Sequence, residues 1–176
     1  MLVTRRIVLA VTCVAVLPPL AQAQAGFRAG FAFENGKRAY GRGLSLEGSY
    51  TLGGSKPLGV RFDVGVQTFN GPTPVVDLQC PPTGCQPSSW SLTVVSSSAS
   101  LVLTKDLGAN RVYWVAGVGG YALNDQPTTG RYTRFGWNGG VGVLMGKHGV
   151  AEVRYHGIID PRESRGLIPI ALGFRF

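Results

Sequence analysis

An alternation of apolar and polar or small residues runs through this chain to its last residue. The closing stretch reads LIPIALGFRF: Ile168, Ile170, Leu172, Phe174 and Phe176 share one face, and Leu167, Pro169, Ala171, Gly173 and Arg175 share the other. Side chains of a strand point alternately to its two sides, so a period of two with one apolar stripe means a sheet with one apolar face. Chains more often finish in a frayed, polar tail. The same period recurs upstream, and the predicted strands cover 25–33, 41–52, 57–69, 90–103, 111–123, 131–145, 149–158 and 167–176. In the third, Val60, Phe62, Val64 and Val66 oppose Arg61, Asp63, Gly65 and Gln67. In the seventh, Ala151, Val153 and Tyr155 oppose Glu152, Arg154 and His156. Helix signals are scarce and glycine abundant, so the expected class is all-β.

The connectors alternate in length. GGSK, KDLGAN and GKHG are short and suited to tight turns; ENGKRAYG, the 70–89 segment, NDQPTTG and DPRESRG are longer and more polar. Short and long in turn is the plan of an eight-stranded antiparallel up-and-down transmembrane barrel, with both termini on the short-turn side. A soluble exported barrel that binds a ligand in the lipocalin manner has the same alternation with its faces exchanged. The start of the chain tilts the choice. MLVTRR, the apolar run IVLAVTCVAVLPPL and AQAQAG follow the charged, apolar and small-residue order of a secretory signal peptide. The run is short for a membrane-spanning helix of ~20 residues. Residues 1–25 therefore read as a cleaved signal and 26–176 as one outer-membrane barrel domain, with cleavage after Ala23 or Ala25.

In a membrane barrel the polar stripe faces inward. Arg28, Glu47, Arg61, Asp63, Arg134, Glu152, Arg154, His156 and Arg175 are the expected interior polar network. An eight-stranded barrel is just wide enough to be packed by side chains, so no wide pore is expected, and charges inside it must pair. Tyr40, Tyr50, Phe69, Trp90, Tyr113, Trp114, Tyr121, Tyr132 and Phe176 lie near predicted strand ends, as interfacial girdles would. Seventeen basic residues face nine acidic ones; loss of Arg5 and Arg6 with the signal leaves a net charge near +6. Export and the lack of a Lys/Arg cluster argue against nucleic acid, and anionic lipid or polysaccharide fits better. Cys13 leaves with the signal, so Cys80 and Cys85 of CPPTGC are expected to form a disulfide clipping the Pro-rich 70–89 loop.

With the signal peptide, YWVAGVGGYAL, RFGWNGGVGV, EVRYH and the terminal IALGFRF, the mature chain resembles the small outer-membrane β-barrels of the opacity/OmpA-like superfamily of Gram-negative-type bacteria. The resemblance implies surroundings of outer-membrane lipid and lipopolysaccharide, and makes Phe176 the signal by which the barrel-assembly machinery recognises the final strand. It leaves function open, because such barrels host many roles. A structural or surface-interaction role follows, with a surface ligand met through the 70–89 loop and no cofactor, metal or catalytic residue. GVGGYA (117–122) matches a loose nucleotide fingerprint, but LNDQPTTG, not a helix, follows it. The second reading is a lipid A-modifying hydrolase. The lipid A 3-O-deacylases carry a His and a Ser two residues apart on a late strand, and RYH resembles them up to His156; position 158 is Ile158, with Glu163 and Ser164 in the loop beyond. Attack assisted by a histidine needs its nucleophile within hydrogen-bond reach.

Overall fold

The computed structural model describes residues 23–35, 40–53, 57–71, 91–108, 110–126, 130–161 and 164–176. Its strands are β1 (Gln24–Asn35), β2 (Arg42–Leu52), β3 (Leu58–Asn70), β4 (Ser91–Leu107), β5 (Asn110–Gln126), β6 (Gly130–Met145), β7 (Gly149–Ile158) and β8 (Arg165–Arg175). They pair in chain order, and β8 returns to β1, giving the expected closed, antiparallel, up-and-down barrel of eight strands. The closing seam registers Gly26 with Arg175 and Asn35 with Gly166. Beyond it the Phe176 N–H donates to the Ala25 carbonyl at 2.8 Å, so pairing extends to the terminal residue. Closure leaves no free sheet edge to pair with another chain.

The faces are inverted relative to a soluble barrel. Along β3, Phe62 and Val64 are 45% and 54% exposed, whereas Arg61 and Asp63 are 4% and 5% exposed. Phe31, Phe135, Leu172 and Phe174 continue the exposed apolar band around the wall. An apolar surface this continuous is not tolerated by a monomer in water; it is the lipid-facing band of a transmembrane barrel. The ligand-binding soluble barrel is thereby ruled out. Among the described residues no helix is long and apolar enough to cross a membrane.

Three expectations need correction or qualification. KDLGAN was expected as a connector, but β4 and β5 continue through it to a tight turn at Gly108, whose φ is 64°. Ladder bonds need only backbone groups, and Asp106 sits opposite Arg111 with an ion pair of 2.7 Å. Of the aromatic residues expected at the interfaces, Tyr40, Phe69, Tyr113 and Tyr121 are instead buried inside the barrel. Aromatic rings favour sheets whichever face they occupy, so position near a strand end does not fix the side. Trp90 lies outside the described residues. The Cys80–Cys85 disulfide is withdrawn: no disulfide is present among the described residues, and both cysteines lie outside them. An even cysteine count signals a bridge only statistically, and this barrel closes through backbone pairing alone. Most of the expected signal peptide, residues 1–22, also lies outside the described residues.

The lumen is filled in layers. Near the end carrying the termini and the short turns, the periplasmic end by the rule for such barrels, Val102, Tyr113, Val115, Leu144 and Val150 pack together. In the opposite half Phe69, Leu92, Val94, Leu123, Ile158 and Leu167 form a second apolar cluster with Ala32, Tyr40 and Tyr121. Between the two lies a charged layer.

Candidate functional site

The charged layer joins three guanidinium groups to three carboxylates, each side chain at most 5% exposed. Arg28 reaches Asp63 at 2.6 Å, Glu152 at 3.0 Å and Glu47 at 3.1 Å. Arg61 grips both oxygens of Glu152, at 2.8 and 3.2 Å, and turns its Nε to Asp63 at 3.1 Å. Arg154 donates from Nε to Glu152 at 2.8 Å, with a second, shorter contact from its terminal nitrogen, and stands 3.1 Å from Asp63. The Tyr113 hydroxyl adds a short hydrogen bond to Glu152.

Strand periodicity and register assemble this layer. Arg28 is directly opposite Glu47 across the β1–β2 pair. Arg61 and Asp63, like Glu152 and Arg154, are two residues apart and therefore share a face. Glycines make the room. Gly142 pairs with Glu152, and a Cβ at Gly142 would fall on the Tyr113 ring. That empty place lets the ring lie across the wall and reach the carboxylate.

Taking a charge out of water costs several kcal/mol per ion, offset only by close partners of opposite sign. The count here is three against three, so the layer is neutral, and bidentate geometry between Arg61 and Glu152 is the strong form of the contact. Glu47 is the least engaged carboxylate: besides Arg28 it accepts from Gln67 at 3.4 Å and lies 3.9 Å from Arg154.

His156 borders the layer at 2% exposure. Its Nδ1 meets the Tyr121 hydroxyl at 2.9 Å, and its Nε2 is 3.8 Å from Glu47, beyond hydrogen-bond reach. Ile158, on the same face, is 1% exposed. The ring is thus a packed side chain inside the barrel, walled off from the lipid that a lipid A hydrolase must reach. The three carboxylates are occupied by guanidinium groups, and among the described residues no cluster of three potential ligands stands ready for a metal ion.

Arg134 and Arg175 lie apart from the central layer. Arg134 is at the loop end, 3.0 Å from Asp160 and 4.8 Å from the Tyr132 ring. Arg175 is at the opposite end, beside a cavity. Sequence reasoning missed the tyrosines that complete the interior. It also missed a second polar group near the loop end, where Asp125 takes Arg165 at 2.9 Å and a short hydrogen bond from the Tyr40 hydroxyl. Asp125 falls on the inward parity of Tyr121 and Leu123; it was lost because β5 was expected to stop at 123.

No family model matches the chain, and no curated protein matches it. Solved structures do. Neisserial surface protein A is 16% identical with a TM-score of 0.60, over 87% of this chain and 95% of that one. Ail, the attachment invasion locus protein of Yersinia pestis, in complex with the heparin analogue sucrose octasulfate, is 16% identical with a TM-score of 0.56, over 88% of this chain and 99% of that one. The outer membrane protein OprG from Pseudomonas aeruginosa is 12% identical with a TM-score of 0.52, over 88% and 96%. At these identities the likeness is one of fold: the chain has the architecture of the small outer-membrane β-barrels.

Proposed function

We propose that this protein is a structural and surface-contact barrel of the outer membrane, working through its outer loops and not through a pore or an active site. The observation that carries this reading is the neutral six-charge layer between two apolar clusters, which packs the middle of the lumen with paired side chains and supports a barrel without a wide pore. The interior then serves to hold the wall, and exposed loops on a rigid scaffold are where such a fold carries recognition. The 70–89 loop is the longest connector and the first candidate for contact. Residues 1–25 serve as the cleaved export signal, and Phe176 as the mark read by the barrel-assembly machinery.

The partner class we favour is an anionic glycan, including the lipopolysaccharide around the barrel. A mature net charge near +6 draws polyanions to the surface. Ail, similar in fold, was solved with a heparin analogue. The test is binding of labelled heparin to cells displaying the full chain and to cells displaying a variant in which residues 72–88 are replaced by a short Gly/Ser turn. Saturable binding that falls with added salt, and that is lost in the variant, supports the reading. Equal binding to both, at equal surface levels, sinks the assignment to this loop; no binding to either sinks the glycan.

A further inference from the structure

At the periplasmic end the lumen opens into a small cavity of ≈ 40 Å³. The charged layer forms its floor through Arg28, Arg61 and Tyr113, and Val102, Leu144 and Val150 form one apolar wall. Arg175 stands on the wall nearer the mouth, at the last position of β8. Both of its backbone groups meet His148: its N–H donates to the His148 carbonyl at 2.8 Å, and its own carbonyl is 2.8 Å from the His148 Nδ1.

The charges of this cavity do not balance. The three carboxylates of the floor are already matched by Arg28, Arg61 and Arg154. Arg175 is a further cation, and among the described residues no carboxylate pairs with it. The buried Nε of Arg28 also lacks an acceptor. A surplus guanidinium, an unanswered N–H on the floor and an apolar flank call for a ligand with one negative group and one short apolar arm.

We propose that this vestibule is a binding site, entered from the periplasm, for small organic carboxylates bearing a short aliphatic chain. The carboxylate lies between Arg175 and the Nε of Arg28, and the chain lies against Val102, Leu144 and Val150. Since the floor is closed, the site holds its ligand and does not pass it on. The proposal is independent of the outer loops and of what they contact.

The test uses the refolded full barrel in lipid nanodiscs, with arginine labelled by nitrogen-15 so that each Nε–H signal is followed by NMR. Butyrate is titrated, with butanol as the neutral analogue and inorganic phosphate as the anion lacking an apolar arm. The expected result is a saturable shift of the Arg28 and Arg175 signals with butyrate, absent with butanol. Arg175→Gln should weaken binding about tenfold or more, the scale of one charge-assisted hydrogen bond. Thr104→Glu, which places a carboxylate on the cavity wall, should weaken it as well. Arg134→Gln, at the far mouth, should leave it unchanged. Absence of saturable shifts, or equal butyrate binding by the wild type and both cavity variants, overturns the site. Phosphate binding as tightly as butyrate overturns the assignment of an aliphatic arm.

Discussion

At the residue scale, Glu152 holds the lumen together. It accepts from Arg28, Arg61, Arg154 and Tyr113, while Glu47 has one close cation. Replacing either carboxylate by its amide keeps the volume and removes the charge, so the two substitutions compare engagement at matched size. Breaking a buried pair by neutralising one partner costs about 3–5 kcal/mol, because the opposite charge stays buried and uncompensated. Glu152→Gln should sit at that level and Glu47→Gln clearly below it. Urea unfolding of the refolded barrel, followed by the gel shift between folded and unfolded forms, checks the order. If Glu47→Gln proves the more damaging, the layer is organised around the β2 side and not around Glu152. The nucleus of this arrangement was legible in the sequence: Arg28, Glu47, Arg61, Asp63, Glu152 and Arg154 fall on the inward parity of their strands, and a polar residue on that parity of a membrane strand has nowhere else to go. Their pairing was not legible, because it depends on how four strands are staggered around a closed wall.

At the element scale, the strands that read most clearly were those with opposed chemistry on their two faces. In β3 every apolar residue but the terminal Phe69 lies outside, and its alternation predicts burial position by position. β4 is harder, since Leu92 and Val94 point inward while Val95 and Leu101 point to lipid, and an apolar residue on either parity looks the same in sequence. The apolar layer of the lumen was missed for that reason. β8 combines both traits with a distinct role at its end. Phe176 is 77% exposed and contributes one backbone bond to the closing seam. Removing so exposed a side chain takes away little native packing, and surface substitutions of this kind usually change stability by no more than about 0.5 kcal/mol. If Phe176 instead acts as the mark read during assembly, its loss should show in the cell and not in the test tube. Phe176→Ser should therefore refold in detergent as the wild type does, yet reach the outer membrane in several-fold lower amount, measured by immunoblotting of washed membranes. Normal amounts in the membrane would remove Phe176 from that role; failure to refold would make its part structural.

At the scale of the whole molecule, sealing is shared between layers of different chemistry. Water or ions entering from the periplasm reach the charged layer through the cavity lined by Val102, Leu144 and Val150, and would then have to pass that layer and the outer cluster built on Phe69, Leu92, Leu123 and Leu167. A charged layer alone is an uncertain seal, since polar groups can be solvated by water that enters between them. An apolar layer packed at ordinary interior density leaves no void to wet. The outer cluster is therefore the decisive barrier, and the charged layer chiefly fixes the wall. Removing charges in a balanced pair separates the two contributions. Glu152→Ala with Arg154→Ala takes away one anion and one cation, keeps the lumen neutral, and opens space in the middle layer only. That double variant should be less stable than the wild type but as silent in planar-bilayer recordings, with no large, steady conductance from either. Adding Phe69→Ala and Leu123→Ala opens the outer layer in line with the first gap, and this quadruple variant should show discrete conducting events wherever it still folds by the gel-shift criterion. Conductance already in the double variant would make the charged layer the seal. A folded quadruple variant that stays silent would mean that the side chains left in the middle and outer layers still close the lumen.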